Sequence, residues 1–339
     1  MEVLTEEAWR ARERAHEARV DVATAGHQAR RASGVDHPVE DFLFTYYSHS
    51  LGALRRWHPG VGVGLAGAQN DERASWRYAR ASGDAVSLDV DGFLQARGDR
   101  VRSVAGLLRA TLDRPAQFGC FGLHEWAMVH RSEQAGVRHP AWPLRLGASG
   151  TDAVVESHQL GCSHVDAFRF FTPTARPLNT LQPTRADQLA LEQPGCLHAG
   201  MDCYKWAFQL APATPSELVA DCFDLARDIR VLDMRASPYD LRALGYEPVP
   251  IETREGKASY VEAQRGFTDR AQVLRRRLLD GVDVLLAAAS TDSSSSGSRR
   301  PGTVTPMIAL RWLPTHEPAN RRPPSGFSGS RPDRSGWSG

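Results

Sequence analysis

The side chains best spaced to do chemistry lie on one predicted helix, Cys196–Leu210. At about 100° per residue, His198, Asp202, Lys205 and Gln209 fall within a stripe roughly 60° wide, and the rest of the segment is apolar or aromatic. A helix that is apolar nearly all round is buried, so a narrow polar stripe on it must meet a partner or a cavity. We interpret the stripe as a pocket wall that contributes His198 and Asp202 as catalytic candidates. An internal water network or an exposed seam would give the same pattern.

A second predicted helix, Ser216–Arg235, carries one carboxylate on its apolar side. Its other acidic residues form a row opposite the apolar side chains, which is typical of a solvated face: Glu217, Asp221, Asp224 and Asp228. Asp233 instead projects among apolar residues, and neither Arg230 nor Arg235 shares its face. A buried carboxylate often has a perturbed pKa and a functional role, so Asp233 is a further catalytic candidate. A carboxylate that caps the following segment would explain it equally well.

Residues 118–130 supply a third candidate, Glu125, which a helical wheel places between apolar neighbours. The two histidines of this segment are six residues apart, so it is not the H-E-x-x-H motif of zinc proteases. A metal centre could be assembled from several segments: Glu125, His124, His198 and Asp202. The remaining central histidines are scattered: His130, His139, His158 and His164. Because no spacing requires a metal site, the sequence predicts no metal ion and no cofactor.

An aromatic and basic cluster precedes these segments at residues 55–59, with the sequence RRWHP. Arg56 and Trp57 are suited to stacking on a flat or anionic ligand. A core helix followed by a basic turn would give the same residues.

The stretch after this cluster contains G-x-G-x-x-G at Gly62–Gly67, without the βαβ context of a dinucleotide site. The overlapping residues 59–66, PGVGVGLA, resemble the P-G-V-G-x-x-x-A hairpin of helix-hairpin-helix DNA-repair enzymes, in which backbone N–H groups bind a DNA phosphate. In that family a catalytic aspartate follows after some twenty residues. The resemblance therefore implies a catalytic role for Asp89, in the segment AVSLDVDG.

The helices and strands that must position these residues indicate an α+β fold. We expect a single large helix-rich domain with short strands in the first half and the middle. Residues 1–35 contain a charged helix with Thr5 as N-cap and Gly34 after its end. Residues 36–289 form the globular catalytic domain. Its strands are predicted in three places: the hairpin Tyr78–Asp89, Thr151–Leu160 and Val165–Phe171. Residues 290–339 are rich in Ser, Pro, Gly and Arg and are predicted to be a disordered tail.

Net charge and cysteine content limit the classes of binding partner and the cellular compartment that the sequence predicts. The whole chain has net charge +1, and the tail holds seven arginines against three acidic residues, so residues 1–289 sum to −3. This balance weighs against a broadly basic nucleic-acid surface. No apolar run is long enough to span a membrane. The lack of such a run predicts no membrane partner. The five cysteines are odd in number and never spaced C-x-x-C, which predicts a reducing cytoplasmic compartment.

Sequence blocks across residues 36–286 carry a broader resemblance. They include HPVEDFLFTYY, FGCFGLHEWAMV, DAFRFFTP, ALEQPGCLHAGMDCYKWAF and DIRVLDMRASPYDL. These blocks are similar to those of an actinobacterial protein group that commonly bears the label 3-methyladenine DNA glycosylase. The resemblance implies a hydrolase for base-excision DNA repair, which releases alkylated purines and has damaged double-stranded DNA as partner.

Glycosylase chemistry needs two kinds of side chain. Aromatic rings bind a cationic base by stacking and cation–π attraction, and a carboxylate stabilises the oxocarbenium-like sugar or activates water. Beside Arg56, the aromatic candidates for substrate binding are Trp57, Trp126, Tyr204 and Trp206. The same residues leave two alternatives open. One is a small-molecule enzyme with a buried histidine–carboxylate pocket, with or without a metal, and the other is a non-catalytic binding protein.

Overall fold

The computed structural model describes residues 1–132 and 141–293, which belong to one compact unit. The fold is α+β and helix-rich, as predicted. The helices are, in chain order, α1 (Glu6–Ser33), α2 (Phe42–Tyr46), α3 (Leu51–Arg55), α4 (Val90–Leu112), α5 (Leu123–Ala127), α6 (Gly147–Glu156), α7 (Val165–Phe168), α8 (Gln188–Leu191), α9 (Leu197–Leu210), α10 (Ser216–Arg235) and α11 (Arg254–Ser293). Short 3₁₀ turns lie at Ala68–Asn70, Glu72–Ser75, Arg176–Leu178 and Arg242–Leu244. Helix α11 extends four residues into the predicted tail; the rest of the tail and His139 lie outside the described residues.

A four-stranded sheet covers one side of the N-terminal half. Its strands are β1 (Glu2–Leu4), β2 (Val63–Ala66), β3 (Ala79–Ser82) and β4 (Ala85–Leu88), in the order β1-β2-β4-β3. Strand β1 is parallel to β2, and the other neighbours are antiparallel. The predicted hairpin is confirmed: Gly83 has φ +63° in the turn between β3 and β4, a conformation that glycine adopts without steric cost.

Helix α1 has the termini that the sequence predicts, and it belongs to the same compact unit as the rest of the described chain. The Thr5 side chain accepts a hydrogen bond from the Ala8 N–H, and Gly34 ends the helix at φ 69°. Trp9 packs against the sheet in a small apolar cluster with Trp57 and Leu65. The helix therefore joins the sheet to the helical part of the molecule.

The central layer is a bundle in which α9 packs against α10 and α11, and α11 also packs against α4. Eleven of the fourteen residues of α9 are buried, because its apolar residues cover almost the whole circumference. Gly200 permits the close approach of α10, since a Cβ built there would lie 2.9 Å from Ile229 Cδ1. The bundle thus forces the polar stripe of α9 into the interior.

Two predicted strands of the middle region are helices in the structure. Residues 151–160 lie mostly in α6, which buries Thr151, Val154 and Val155 on one helical face, and residues 165–168 form α7. The valines favour strands in isolation, but no partner strand lies beside either segment within the described residues. Tertiary packing of one helical face outweighs that local preference.

The helix-hairpin-helix interpretation of residues 59–66 is wrong for this fold. Residues Val63–Ala66, where the second helix should begin, form strand β2 in the middle of the sheet. Gly60 and Gly62 do have positive φ, but they lead into a strand and not into a helix. A strand thus replaces the second helix of the motif, so the turn lacks the helical context in which its backbone N–H groups would bind a phosphate.

The acidic row of α10 is not simply a solvated face. Its carboxylates are about one third exposed and pair with arginines of the two flanking helices: Arg12 and Arg19 of α1, Arg270 and Arg277 of α11. The helical wheel predicted the row of carboxylates on α10 correctly, but it could not show which helices lie beside that row. In the described residues, no helix combines the length and the apolar character of a membrane span.

Candidate functional site

A group of buried ionisable side chains lies where α9 meets the ends of α5, α7 and α10. Its five central members, here called the buried polar cluster, are His124, Asp233, His198, His164 and Asp202. All five have side chains at most 6% exposed. They come from four elements, because α9 supplies His198 and Asp202, α5 and α10 supply one residue each, and His164 precedes α7. His198 and Asp202 are four residues apart on α9, so their side chains lie on the same side of the helix.

The first half of the cluster pairs His124 with Asp233. His124 Nε2 lies 2.9 Å from Asp233 Oδ1, while Cys120 Sγ lies 3.6 Å from His124 Nδ1. Arg230 Nη1 donates to Asp233 Oδ2 at 3.1 Å and to Glu125 Oε1 at 2.8 Å. The sequence-based view that Arg230 could not reach Asp233 is wrong, because an arginine side chain spans the i, i+3 separation.

Electrostatic interactions within this half determine the charge states of His124 and Asp233. Burial disfavours the charged forms of both groups, but their mutual attraction outweighs it. The charge of Asp233 raises the pKa of His124 well above its usual value. The charge of His124, with help from Arg230, lowers the pKa of Asp233.

The second half of the cluster pairs His164 with Asp202. His164 Nε2 lies 3.4 Å from Asp202 Oδ2, which also receives the Lys205 ammonium at 3.0 Å. The Tyr47 hydroxyl donates to the other carboxylate oxygen at 2.8 Å. Glu192 lies near the same histidine, with Oε2 3.9 Å from Nε2. Both oxygens of Asp202 are therefore engaged by the protein itself.

Lysine 205 extends this half toward the surface. Its Nζ lies 3.2 Å from Asp166 Oδ2, and Arg185 pairs with the same carboxylate. Burial opposes ionisation of Asp166, yet Lys205 and Arg185 lower its pKa to about 2. Burial likewise opposes the charged forms of Asp202 and Lys205, but their attraction lowers the pKa of Asp202 and raises that of Lys205.

His198 stands between the two halves. Its ring centroid is 4.5 Å from that of His124 and 5.2 Å from that of His164. Burial, together with the charge of His124, lowers the pKa of His198 well below its usual value, so the ring is neutral. Among the described residues, its ring nitrogens find no hydrogen-bond partner. His198 is therefore free to bind something that the protein does not provide.

A pocket opens onto this neutral ring. Its volume is about 330 Å³, including the space open to solvent at its mouth, and both His124 and His198 line it. Ser163, Gln264 and Tyr260 contribute polar groups to the wall. Gln264 Nε2 donates to the Gly195 carbonyl at 2.6 Å, whereas its buried Oε1 has no partner. The pocket thus offers hydrogen-bonding groups to a small polar ligand.

Two triads of the region have ligand atoms that lie within 4.8 Å of one another and could hold a metal ion. One is His124, His198 and Asp233, and the other is His164, Glu192 and Asp202. Neither is the set assembled from the sequence, because Glu125 is held by Arg230 and Asp202 belongs to the second triad.

The structure brings together most of the predicted catalytic residues. His198, Asp202 and Asp233 are members of the cluster, and Glu125 is joined to it through Arg230. Asp89 is elsewhere: it is the N-cap residue of α4 and pairs with Arg80 at the surface.

The predicted substrate-binding aromatics do not line the pocket. Trp57, Trp126, Tyr204 and Trp206 are at most 2% exposed and belong to the apolar cores. The indole N–H groups of two of them are satisfied internally, that of Trp57 by Glu217 and that of Trp126 by the Ala236 carbonyl. These four side chains therefore pack the interior and form no aromatic box around a ligand.

Arg56 lies beside a second cavity of about 420 Å³, next to the sheet, with its guanidinium 5.3 Å from the Trp76 ring centroid. His58 lines that cavity, and burial lowers its pKa to about 4. No carboxylate is among the described residues that line it. This cavity lacks the acid–base groups that the buried polar cluster has.

Sequence reasoning missed several members of the network. These members lie at the ends of short helices: His164 precedes α7, Glu192 follows α8 and Tyr47 follows α2. Helical spacing cannot find residues in such segments. The only signal was the concentration of histidines in the central region.

Comparison with protein-family models, with curated proteins and with solved structures finds no match to this chain.

Proposed function

We propose that this chain is an enzyme that converts a small polar molecule in the pocket above the buried polar cluster. The observation that carries the proposal is the position of His198, which lies in the pocket wall and is flanked by two buried histidine–carboxylate pairs. Burying this many charges costs free energy that apolar packing would not. Such arrangements are concentrated at catalytic sites, where side chains must be held in fixed positions and charge states.

The roles follow from position. His124 and His198 reach the pocket and contact the substrate. Asp233 and Asp202 hold the flanking histidines, and Arg230, Lys205 and Tyr47 hold the carboxylates. Histidine and carboxylate groups together perform hydrolysis and proton transfer.

The experiment is a substrate profile of the purified chain against esters, amides, phosphoesters and N-glycosides. We expect turnover of one class and a fall of kcat/KM by about 100-fold or more in His198→Gln. His158→Gln is the matched control, because this histidine lies outside the pocket wall and outside the buried polar cluster. Absence of turnover in every class, with ligand binding retained, would instead identify a non-catalytic binding protein.

DNA glycosylase is the second proposal, and it rests on the sequence resemblance. The low pKa of Asp202 and Asp233 favours it, since an ionised carboxylate stabilises an oxocarbenium-like sugar. The interior positions of Trp126 and Trp206 and the acidic balance of residues 1–289 speak against it. The test is release of free base from alkylated DNA by the wild type, by Asp202→Asn and by Asp89→Asn. No release by any form rules the glycosylase out.

The five cysteines are free thiols, which suits the reducing cytoplasm, and we propose that compartment for the enzyme.

A further inference from the structure

Two buried atoms of the polar cluster lie close together, and one of them belongs to His124, which lines the pocket. His124 Nε2 and Asp233 Oδ1 are 2.9 Å apart, but the ring is not aligned for a hydrogen bond. Both atoms are buried and neither has a hydrogen-bond partner within the described part of the chain. The two charges attract each other, but neither atom has a well-aligned hydrogen bond to offset the cost of its burial. A cation that both atoms contact would remove that cost.

The groups that contact the other polar atom of His124 and of Asp233 are arranged like the partners that hold metal-binding side chains in place. Cys120 Sγ lies at the other ring nitrogen of His124, so Nδ1 keeps its proton there, and a metal ion displaces the proton that Nε2 carries in the pair with Asp233. Arg230 occupies Asp233 Oδ2 and leaves Oδ1 available. Metal-binding histidines and carboxylates are held in this way by partners at their second atom.

His198 supplies a third ligand. Its ring, His124 and Asp233 each offer an atom within 4.8 Å of the other two. Tetrahedral ligands about 2.0–2.2 Å from one ion are about 3.3–3.6 Å from each other, so the 2.9 Å between His124 Nε2 and Asp233 Oδ1 would have to widen by about 0.5 Å to admit the ion. Since the two histidines line the pocket, the fourth position of the ion would face the substrate.

We infer that His124, His198 and Asp233 bind one divalent transition-metal ion, with zinc as the best match to two imidazoles and a carboxylate. The binding of this ion does not depend on the proposed function. Only a catalytic role of the ion rests on that function. There it would polarise the substrate or a water molecule at the open position.

The second triad is a poorer metal site. The Lys205 ammonium and the Tyr47 hydroxyl already occupy the two oxygens of Asp202, at 3.0 and 2.8 Å. A positive charge beside the site repels a second cation. His164 is thus a matched control, because it has the same burial as His124 and belongs to the triad that we expect to remain metal-free.

The test is titration of the full-length, chelator-treated protein with Zn²⁺, followed by calorimetry. We expect one ion per chain, and an affinity reduced by about 100-fold or more in His198→Gln, with His164→Gln close to the wild type. Loss of affinity in His164→Gln but not in His198→Gln would overturn the assignment, as would the absence of stoichiometric binding.

Titration of the wild type with Co²⁺ gives a readout that does not depend on any variant folding. We expect visible ligand-field bands without a thiolate-to-cobalt charge-transfer band. Such a band would place the ion on Cys120, Cys162 or Cys196, which also line the pocket, and would overturn the inference. Metal binding without turnover would contradict only the proposed function. Turnover by the metal-free protein would contradict only the catalytic role of the ion.

Discussion

At the scale of single residues, the burial of charged side chains in the interior lowers the stability of the fold. Arg230 is 1% exposed and holds two carboxylates, those of Glu125 and Asp233. Its guanidinium also lies 3.8 Å from the Phe42 ring centroid. Removal of one member of a buried ion network leaves the others uncompensated, which is more costly than the loss of an exposed pair.

We therefore expect Arg230→Met to lower the free energy of unfolding by about 3–5 kcal/mol. Arg227→Met, one turn earlier, removes a 40% exposed arginine that pairs with Asp224, and it should cost less than about 1 kcal/mol. Urea denaturation of the two variants measures the difference. Equal losses would mean that the buried network contributes no more than a surface ion pair.

Asp166 predicts a pH dependence of stability. Its pKa is lowered from 3.8 to about 2, so the folded state binds its proton less readily than the unfolded state. Its contribution is fully present above about pH 5 and is lost as the pH falls toward 2. Asp166→Asn should cost on the order of 2 kcal/mol at pH 7.

Urea denaturation at a series of pH values checks this prediction. The difference between Asp166→Asn and the wild type should shrink between about pH 4 and pH 2. Asp99→Asn, which alters a 96% exposed side chain, should match the wild type throughout. A difference for Asp166→Asn that stays constant down to pH 2 would contradict the assigned charge state.

At the scale of elements, the site depends on how closely a loop approaches the N-terminus of α9. A Cβ on Gly195 would lie 2.3 Å from the backbone oxygen of Gln117, three residues before Cys120. Because a backbone atom cannot give way as a flexible side chain can, this contact fixes the position of the loop that leads to His124.

Gly195→Ala should therefore lower the melting temperature and weaken zinc binding at His124. Gly106→Ala is the matched control, since Gly106 is exposed in the middle of α4 and a Cβ there meets nothing within 4 Å. It should leave zinc binding unchanged and stabilise the fold by up to about 1 kcal/mol. Differential scanning calorimetry and zinc titration report both effects, and equal behaviour of the variants would exclude the close contact as a determinant of the site.

The sequence predicted the parts of this arrangement that one helix decides alone. Burial of His198, Asp202 and Asp233 followed from apolar periodicity, and the cap at Thr5 followed from local chemistry. Partners that come from distant segments could not be predicted in this way. Tyr47 is 155 residues from Asp202, and α6 is a helix only because one face of it is packed.

At the scale of the whole molecule, the described residues form one unit with a main apolar core and two smaller apolar clusters, one of which lies beside the sheet. Helix α1 contributes Trp9 to the cluster beside the sheet and Val20 to the main core. The cluster beside the sheet and the main core should therefore unfold together. Tryptophan fluorescence and far-ultraviolet circular dichroism should give the same urea midpoint, and separate midpoints would show that the sheet region unfolds on its own.

The central claim is that His198 serves binding or catalysis and not the stability of the fold. Its most direct test is the free energy of unfolding of His198→Leu relative to the wild type, both free of metal, at pH 7. Because His198 makes no side-chain hydrogen bond in the described structure, an apolar residue of similar size should leave stability within about 1 kcal/mol or raise it. A loss of about 3 kcal/mol or more would make His198 a structural residue and contradict the account.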